Sequence, residues 1–259
     1  MNFDIEITRA ERVAADPDPE ATAAVWTSAA VALRERMYDD VRVTAAWPRF
    51  TEEPTIRFPL EVTAESLQPH DVPAYIELFF HEAYLLFNIA VPGSFGGTIT
   101  TSGGEFRVRE LTLGASVFEL GRVMAPRADV PPIDALPLAD VIRWYDSLHL
   151  GTQQLATTGI AKALFHLLHL ARTPDSDPMS LLRLTHALEA LGTPQPAATL
   201  AIRDVIANGT APLLHPMHDD ALDPRVEDAS VDWIDAADLA ASMIVAELQR
   251  RVRRWVNAA

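Results

Sequence analysis

The residues with the chemistry to act on a ligand gather in a few places. His215-Pro216-Met217-His218-Asp219-Asp220, with Asp223 just behind, sets two imidazoles and three carboxylates within one short segment. With no cysteine in the chain, only His, Asp and Glu could hold a metal, and His215, His218 and Asp219 are the ligands expected here for a divalent ion. The same residues also suit a turn whose aspartates bond backbone amides, with Pro216 fixing its geometry. A second set, Glu77, His81, Tyr84 and Asn88, recurs at spacings of four, three and four residues, which draws one polar stripe along a helix. Glu77 and His81, one turn apart, could act as an acid-base pair with Glu82 nearby, while Tyr84 and Asn88 could bind a substrate or partner. The stripe equally fits the solvent face of a helix packed on a sheet.

Three further motifs carry less. His166 and His169 sit three apart on one helix, a chelating spacing, but leucines and Phe165 surround them, which favours a partly buried, hydrogen-bonded pair. Gly93-Ser94-Phe95-Gly96-Gly97 follows a helix and precedes a strand, the reverse of a phosphate-binding loop, and lacks the Lys followed by Ser or Thr; it reads as a turn. Arg250, Arg251, Arg253 and Arg254 close the last helix, while acids crowd its start, as complementarity to the helix dipole demands.

Elements must position these residues. Phe3, Ile5 and Ile7 alternate with polar residues, so a strand is expected at the start. Val25, Ala29, Leu33 and Met37 predict an amphipathic helix ending near Asp39. Val41 to Trp47 and Ile56 to Val62 read as strands, and Pro59, lacking an amide hydrogen, favours a sheet edge for the second. Asp71 to Val91 reads as a buried helix stopped by Pro92-Gly93. Strands are expected at Thr98 to Thr101, Glu105 to Leu113 and Ser116 to Arg122, and the opposite parity of Phe106 and Val108 to Leu111 and Leu113 predicts a bulge. Pro126, Pro131, Pro132 and Pro137 mark a connector. Beyond it helices are expected at Leu138 to Leu150, Thr152 to Ala171, Met179 to Leu191, Ala197 to Ala207 and Trp233 to Trp255, with a long loop from Asn208 to Asp232. The expected fold is α+β: a strand-bearing domain over 1–125 with one buried helix, a connector over 126–137 and an all-α bundle over 138–259.

Composition narrows the functions. A formal charge of −15 repels phosphate, so nucleic-acid binding over a broad surface is disfavoured. Of 21 basic residues only Lys162 is lysine, which leaves guanidinium groups suited to carboxylate or phosphate pairing. No basic region followed by an apolar run opens the chain, and no stretch suits a membrane span, so a cytoplasmic protein is expected.

Two resemblances add to this. The His218-Asp219 doublet resembles metal-dependent phosphohydrolases of the HD type, in which His166, His169 or His186 and Asp235 would complete the ligand set. Residues 181–256 resemble the HEPN family of helical bundles, especially Apea-type members that follow a β-rich domain. Ala187-Leu188-Glu189-Ala190-Leu191-Gly192, the helix bearing Arg203, the Asn208-Gly209 turn and the long final helix carry the likeness. It implies a helical fold with RNA or nucleotide association and a tendency to dimerise, in a bacterial stress or defence role. The family's ribonucleases pair an Arg with a His four to six residues on, and here those positions hold Asn208, Gly209 and Thr210, with His215 the next histidine. The expected function is therefore binding or assembly with a protein partner or second copy and no cofactor. The alternatives are a divergent ribonuclease using Arg203 and His215, or a metal-dependent hydrolase using His215, His218 and Asp219.

Overall fold

The computed structural model describes residues 1–9, 19–50, 53–66, 68–103, 106–114, 118, 132–152, 155–172, 179–195, 199 and 230–258. The fold is α+β. Its strands are β1 (Asn2–Thr8), β2 (Glu35–Tyr38), β3 (Val41–Ala45), β4 (Thr55–Thr63), β5 (Gly97–Gly103) and β6 (Phe106–Leu113). Its helices are α1 (Pro19–Ala32), α2 (Val72–Ala90), α3 (Leu138–Asp146), α4 (Gly159–Ala171), α5 (Met179–Leu191) and α6 (Ser230–Ala258). Among the described residues no helix is long and apolar enough to cross a membrane.

The strands form one antiparallel sheet in the order β2-β3-β4-β1-β5-β6. Alternation decides its faces. Phe3, Ile5 and Ile7, Val41, Val43 and Ala45, and Ile56, Phe58, Leu60 and Val62 are buried, while Asp4, Arg42, Arg57 and Glu61 between them are exposed. α2 is apolar on nearly every side and is correspondingly buried, Phe79, Phe80, Leu85, Leu86, Phe87 and Ile89 included. Trp47 lies at the centre of an aromatic cluster, with ring centroids 4.8 Å from Phe58, 5.5 Å from Phe87 and 5.8 Å from Trp26. Both indoles keep their polar edge satisfied, Trp47 Nε1 donating to the Leu33 carbonyl and Trp26 Nε1 to that of Ser94, each at 3.1 Å.

Two local expectations are overturned. The first helix stops at Ala32, and Arg36 to Tyr38 belong to β2 rather than to a helix reaching Asp39. Strand pairing with Val41 to Thr44 overrides the four-residue spacing of Met37. β4 is not an edge strand; it lies between β3 and β1. Pro59 is tolerated because its carbonyl accepts from Ala46 N at 3.1 Å, so its missing amide hydrogen would face the same side, one position past the last β3–β4 pair, Ala45 with Leu60. Only a bond beyond the ladder is forgone. The expected bulge is present, between Phe106 and Arg109: Thr101 pairs with Arg109 but Gly103 with Phe106, so β6 carries the extra residue.

The chain forms two compact units, and they do not follow chain order. Residues 1–115, 134–155 and 248–259 make the first; 116–133 and 156–247 make the second. α3, read above as the opening of the helical half, joins the first unit, packing Val141, Ile142, Trp144 and Tyr145 inward against α1 and α2. The end of α6 joins it too, through Gln249. That side chain is fully buried; Nε2 donates to the carbonyls of Ile89 (3.0 Å) and Asp134 (2.7 Å), and Oε1 accepts from Asp134 N (3.2 Å). In the second unit α4 and α5 pack closely, with Gly159 against the Ala190 carbonyl, where any Cβ would overlap. Thr158 Oγ1 caps α4 through Ala161 N at 3.2 Å. Gly192, at φ 68°, ends α5 with Gly192 N donating to Glu189 and Thr193 N to Leu188. The strand expected at 116–122, apart from Phe118, and the helix expected at 197–207, apart from Thr199, lie outside the described residues.

Candidate functional site

Glu82 is the one carboxylate on α2's buried side, only 2% exposed. Such a group requires partners, and strand periodicity supplies two. Arg36 and Tyr38 stand two apart on β2, hence on the same face, and both donate to Glu82 Oε2: Arg36 Nε at 2.9 Å, Tyr38 OH at 2.8 Å. The other arm of Arg36 crosses to α3, Nη2 donating to Asp146 Oδ1 at 2.8 Å. One guanidinium thus links β2, α2 and the C-terminal end of α3.

This cluster lines an open cleft of ≈ 310 Å³ whose walls are Arg36, Met37, Glu82, Tyr145, Asp146, His149, Leu150 and Gly151. The turn after α3 shapes one side. His149 takes a left-handed conformation, φ 50°, its amide bonded to the Asp146 carbonyl, and Gly151 follows at φ 46°. A non-glycine residue there is uncommon and marks local strain. Thr152 Oγ1 then donates to Asp39 Oδ2 at 3.1 Å, tying the turn to the β2–β3 hairpin.

Electrostatics sets the roles. Burial pushes Glu82 up from the ordinary carboxylate range, against the pull of the Arg36 charge and the bonds from Tyr38 and Arg36. Burial, with the nearby Glu82 charge, raises Tyr38 and Tyr145 far above an ordinary phenol, so both stay protonated. Burial works against the Arg36 cation, but the Asp146 hydrogen bond and the charges of Glu82 and Asp146 outweigh it. Arg36, Tyr38 and Tyr145 therefore keep their protons at ordinary pH.

The residues singled out by spacing fare differently. Glu77 and His81 approach to 3.8 Å, one turn apart and half-buried. Tyr84 and Asn88 are fully buried, so the stripe is neither one solvent face nor one site. Tyr84 OH donates to the Gly114 carbonyl at 2.7 Å. Asn88 organises the glycine-rich turn: Nδ2 donates to the carbonyls of Tyr84 (2.9 Å) and Phe95 (2.7 Å), and Oδ1 accepts from Gly93 N (3.0 Å) and Phe95 N (3.4 Å). His166 meets His186 across α4 and α5, ring centroids 5.7 Å apart; burial, then the neighbouring His186 and His169, lowers His166. Among the described residues no three His, Asp or Glu side chains are grouped to hold a metal. Arg203, His215, His218 and Asp219 lie outside the described residues. Arg253 Nη2 bonds Asp134 Oδ2 at 2.9 Å.

Spacing missed the cleft because its residues come from three elements up to 110 positions apart, Arg36 to Asp146. One signal was present: an acidic residue, Glu82, that falls outside the Glu77-His81-Tyr84-Asn88 stripe of a largely apolar helix. Comparison with protein-family models, curated proteins and solved structures finds no match to this chain.

Proposed function

We propose that this is a binding protein whose ligand site is the cleft over Arg36, Glu82 and Asp146. One observation carries the reading: a carboxylate buried on an apolar helix lines an open cleft with a guanidinium and a tyrosine, all three held by the packed fold. Concave sites with a few convergent polar groups are where small ligands bind. The tyrosines and the arginine keep their protons, which suits recognition better than proton transfer.

The test is a fragment screen on the whole chain by ligand-observed NMR, repeated with Met37→Trp. Met37 is 51% exposed at the rim, so a tryptophan there narrows the mouth without disturbing the core. Hits that the substitution abolishes support the reading. A screen whose hits all survive Met37→Trp overturns it.

The assembly role with RNA or nucleotide association that the HEPN resemblance implies for 181–256 is a separate proposal. The helices Met179–Leu191 and Ser230–Ala258 support it by overlapping that interval. RNA cleavage in chelator that is lost in the Arg203→Ala, His215→Ala double variant would favour the ribonuclease form; cleavage that survives it would refute that assignment.

A further inference from the structure

We infer that the cleft takes a cation, specifically an alkylammonium or guanidinium head on a short apolar stem. The inference rests on the cleft being a ligand site and adds the chemistry of its occupant. Its charge is set by two carboxylates around one guanidinium, Glu82 and Asp146 around Arg36. Arg36 already directs Nε and Nη2 at those carboxylates, so its charge is matched by theirs, and an anion entering the cleft would meet two carboxylates for one guanidinium. A cation gains from the same balance. The bonds from Arg36 and Tyr38 fall on Oε2 of Glu82 and that to Asp146 on Oδ1, which leaves Oε1 and Oδ2 as acceptors for the N–H groups of a ligand, and charge-assisted bonds of this kind are the strong ones.

Three of the other wall residues fit the same head group. Tyr145 contributes an aromatic ring, a favourable neighbour for a cation, and Leu150 and Met37 supply apolar surface for a stem. The net charge of −15 raises the local concentration of cations around the molecule and repels anions.

The experiment is titration of the whole chain at low salt with n-butylammonium, n-butylguanidinium and the peptide acetyl-Gly-Lys-Gly-amide. Butyrate, inorganic phosphate and n-butanol are the controls, read by calorimetry and ligand-observed NMR. The cations are expected to bind saturably and more tightly than any control, and to be lost in Met37→Trp. Asp146→Asn should weaken them about tenfold, the worth of one charge-assisted hydrogen bond; its carboxylate is 49% exposed, so the variant keeps its fold. Tighter binding of the peptide assigns the head group to a protein side chain, and tighter binding of n-butylammonium or n-butylguanidinium to a small molecule. Butyrate, phosphate or butanol binding that Met37→Trp abolishes would overturn the cationic class while sparing the cleft. Cation binding indifferent to both substitutions would place it elsewhere on the acidic surface and overturn the inference. No saturable binding by any probe would overturn it as well, and the fragment screen then decides whether the cleft itself falls.

Discussion

Replacing Arg36 by methionine tests the cluster most directly, because it removes the cation and keeps much of the side-chain volume. Breaking a buried ion pair by deleting one partner costs roughly 3–5 kcal/mol. The lower end applies here, since the Arg36 side chain retains 15% exposure and Tyr38 still donates to Glu82. The arm to Asp146 adds less than about 1 kcal/mol, because that carboxylate is half exposed. A loss of about 3 kcal/mol at neutral pH is therefore expected. Its pH dependence is the sharper signature. Burial already raises Glu82 above its ordinary 4.5, and Arg36 is the strongest influence pulling it back. Without Arg36 the folded-state value climbs further while the unfolded value stays near 4.5, so the folded variant holds its proton over a wider range. Its deficit relative to wild type should grow as pH rises from the wild-type folded value through the higher value of the variant, and be smallest below the wild-type value, where Glu82 is protonated in both folded proteins. Urea unfolding across a pH series checks this, followed by tryptophan fluorescence, for which Trp26, Trp47 and Trp144 in the first unit are buried reporters. A deficit that stays constant with pH, or is larger in acid, would refute the assignment of Glu82 as a buried carboxylate held by Arg36.

Asn88→Ala should destabilise by about 2–4 kcal/mol, because it strands buried amides and carbonyls of the 93–95 turn; thermal and urea melts measure it, and a loss under about 1 kcal/mol would contradict the role given to Asn88. Gln249→Leu should cost about 2–3 kcal/mol, most of it from the buried Ile89 carbonyl, since Asp134 can turn to water; faster proteolysis at the C-terminal end should accompany it, and an unchanged digestion pattern would count against the anchor. Gly97→Ala and Gly192→Ala both place a side chain at positive φ, but a Cβ at 97 would also overlap the Thr8 carbonyl whereas 192 faces open space. The first should therefore cost clearly more than the second, which is worth about 1–2 kcal/mol; equal melting temperatures would show that the β1–β5 approach is not tight.

Periodicity was enough to determine much of this protein. Alternation in Phe3 to Ile7 and Ile56 to Val62 specifies one-faced strands, the apolar run of 72–90 specifies a buried helix, and the parity change after Val108 specifies a bulge. Each depends on neighbours along the chain, and local spacing records them. Where strand pairing or tertiary packing decides, spacing misleads. Met37 fits a helical repeat, yet Arg36 to Tyr38 join a strand because Val41 to Val43 complete the ladder. Pro59 suggests an edge, yet it is tolerated inside the sheet because β3 ends one residue short of it. Tyr84 and Asn88 share a stripe with Glu77 and His81, yet only the tertiary fold decides which of these four meet water. The cleft is the extreme case. Glu82 declares itself in the sequence as a charge outside the polar stripe of a largely apolar helix, but its partners Arg36 and Tyr38 lie on β2, and nothing local ties them, or the Asp146 that Arg36 also bonds, to it. Desolvation forces a buried carboxylate to be paired, and which cation does so is decided by where the fold sets β2 beside α2.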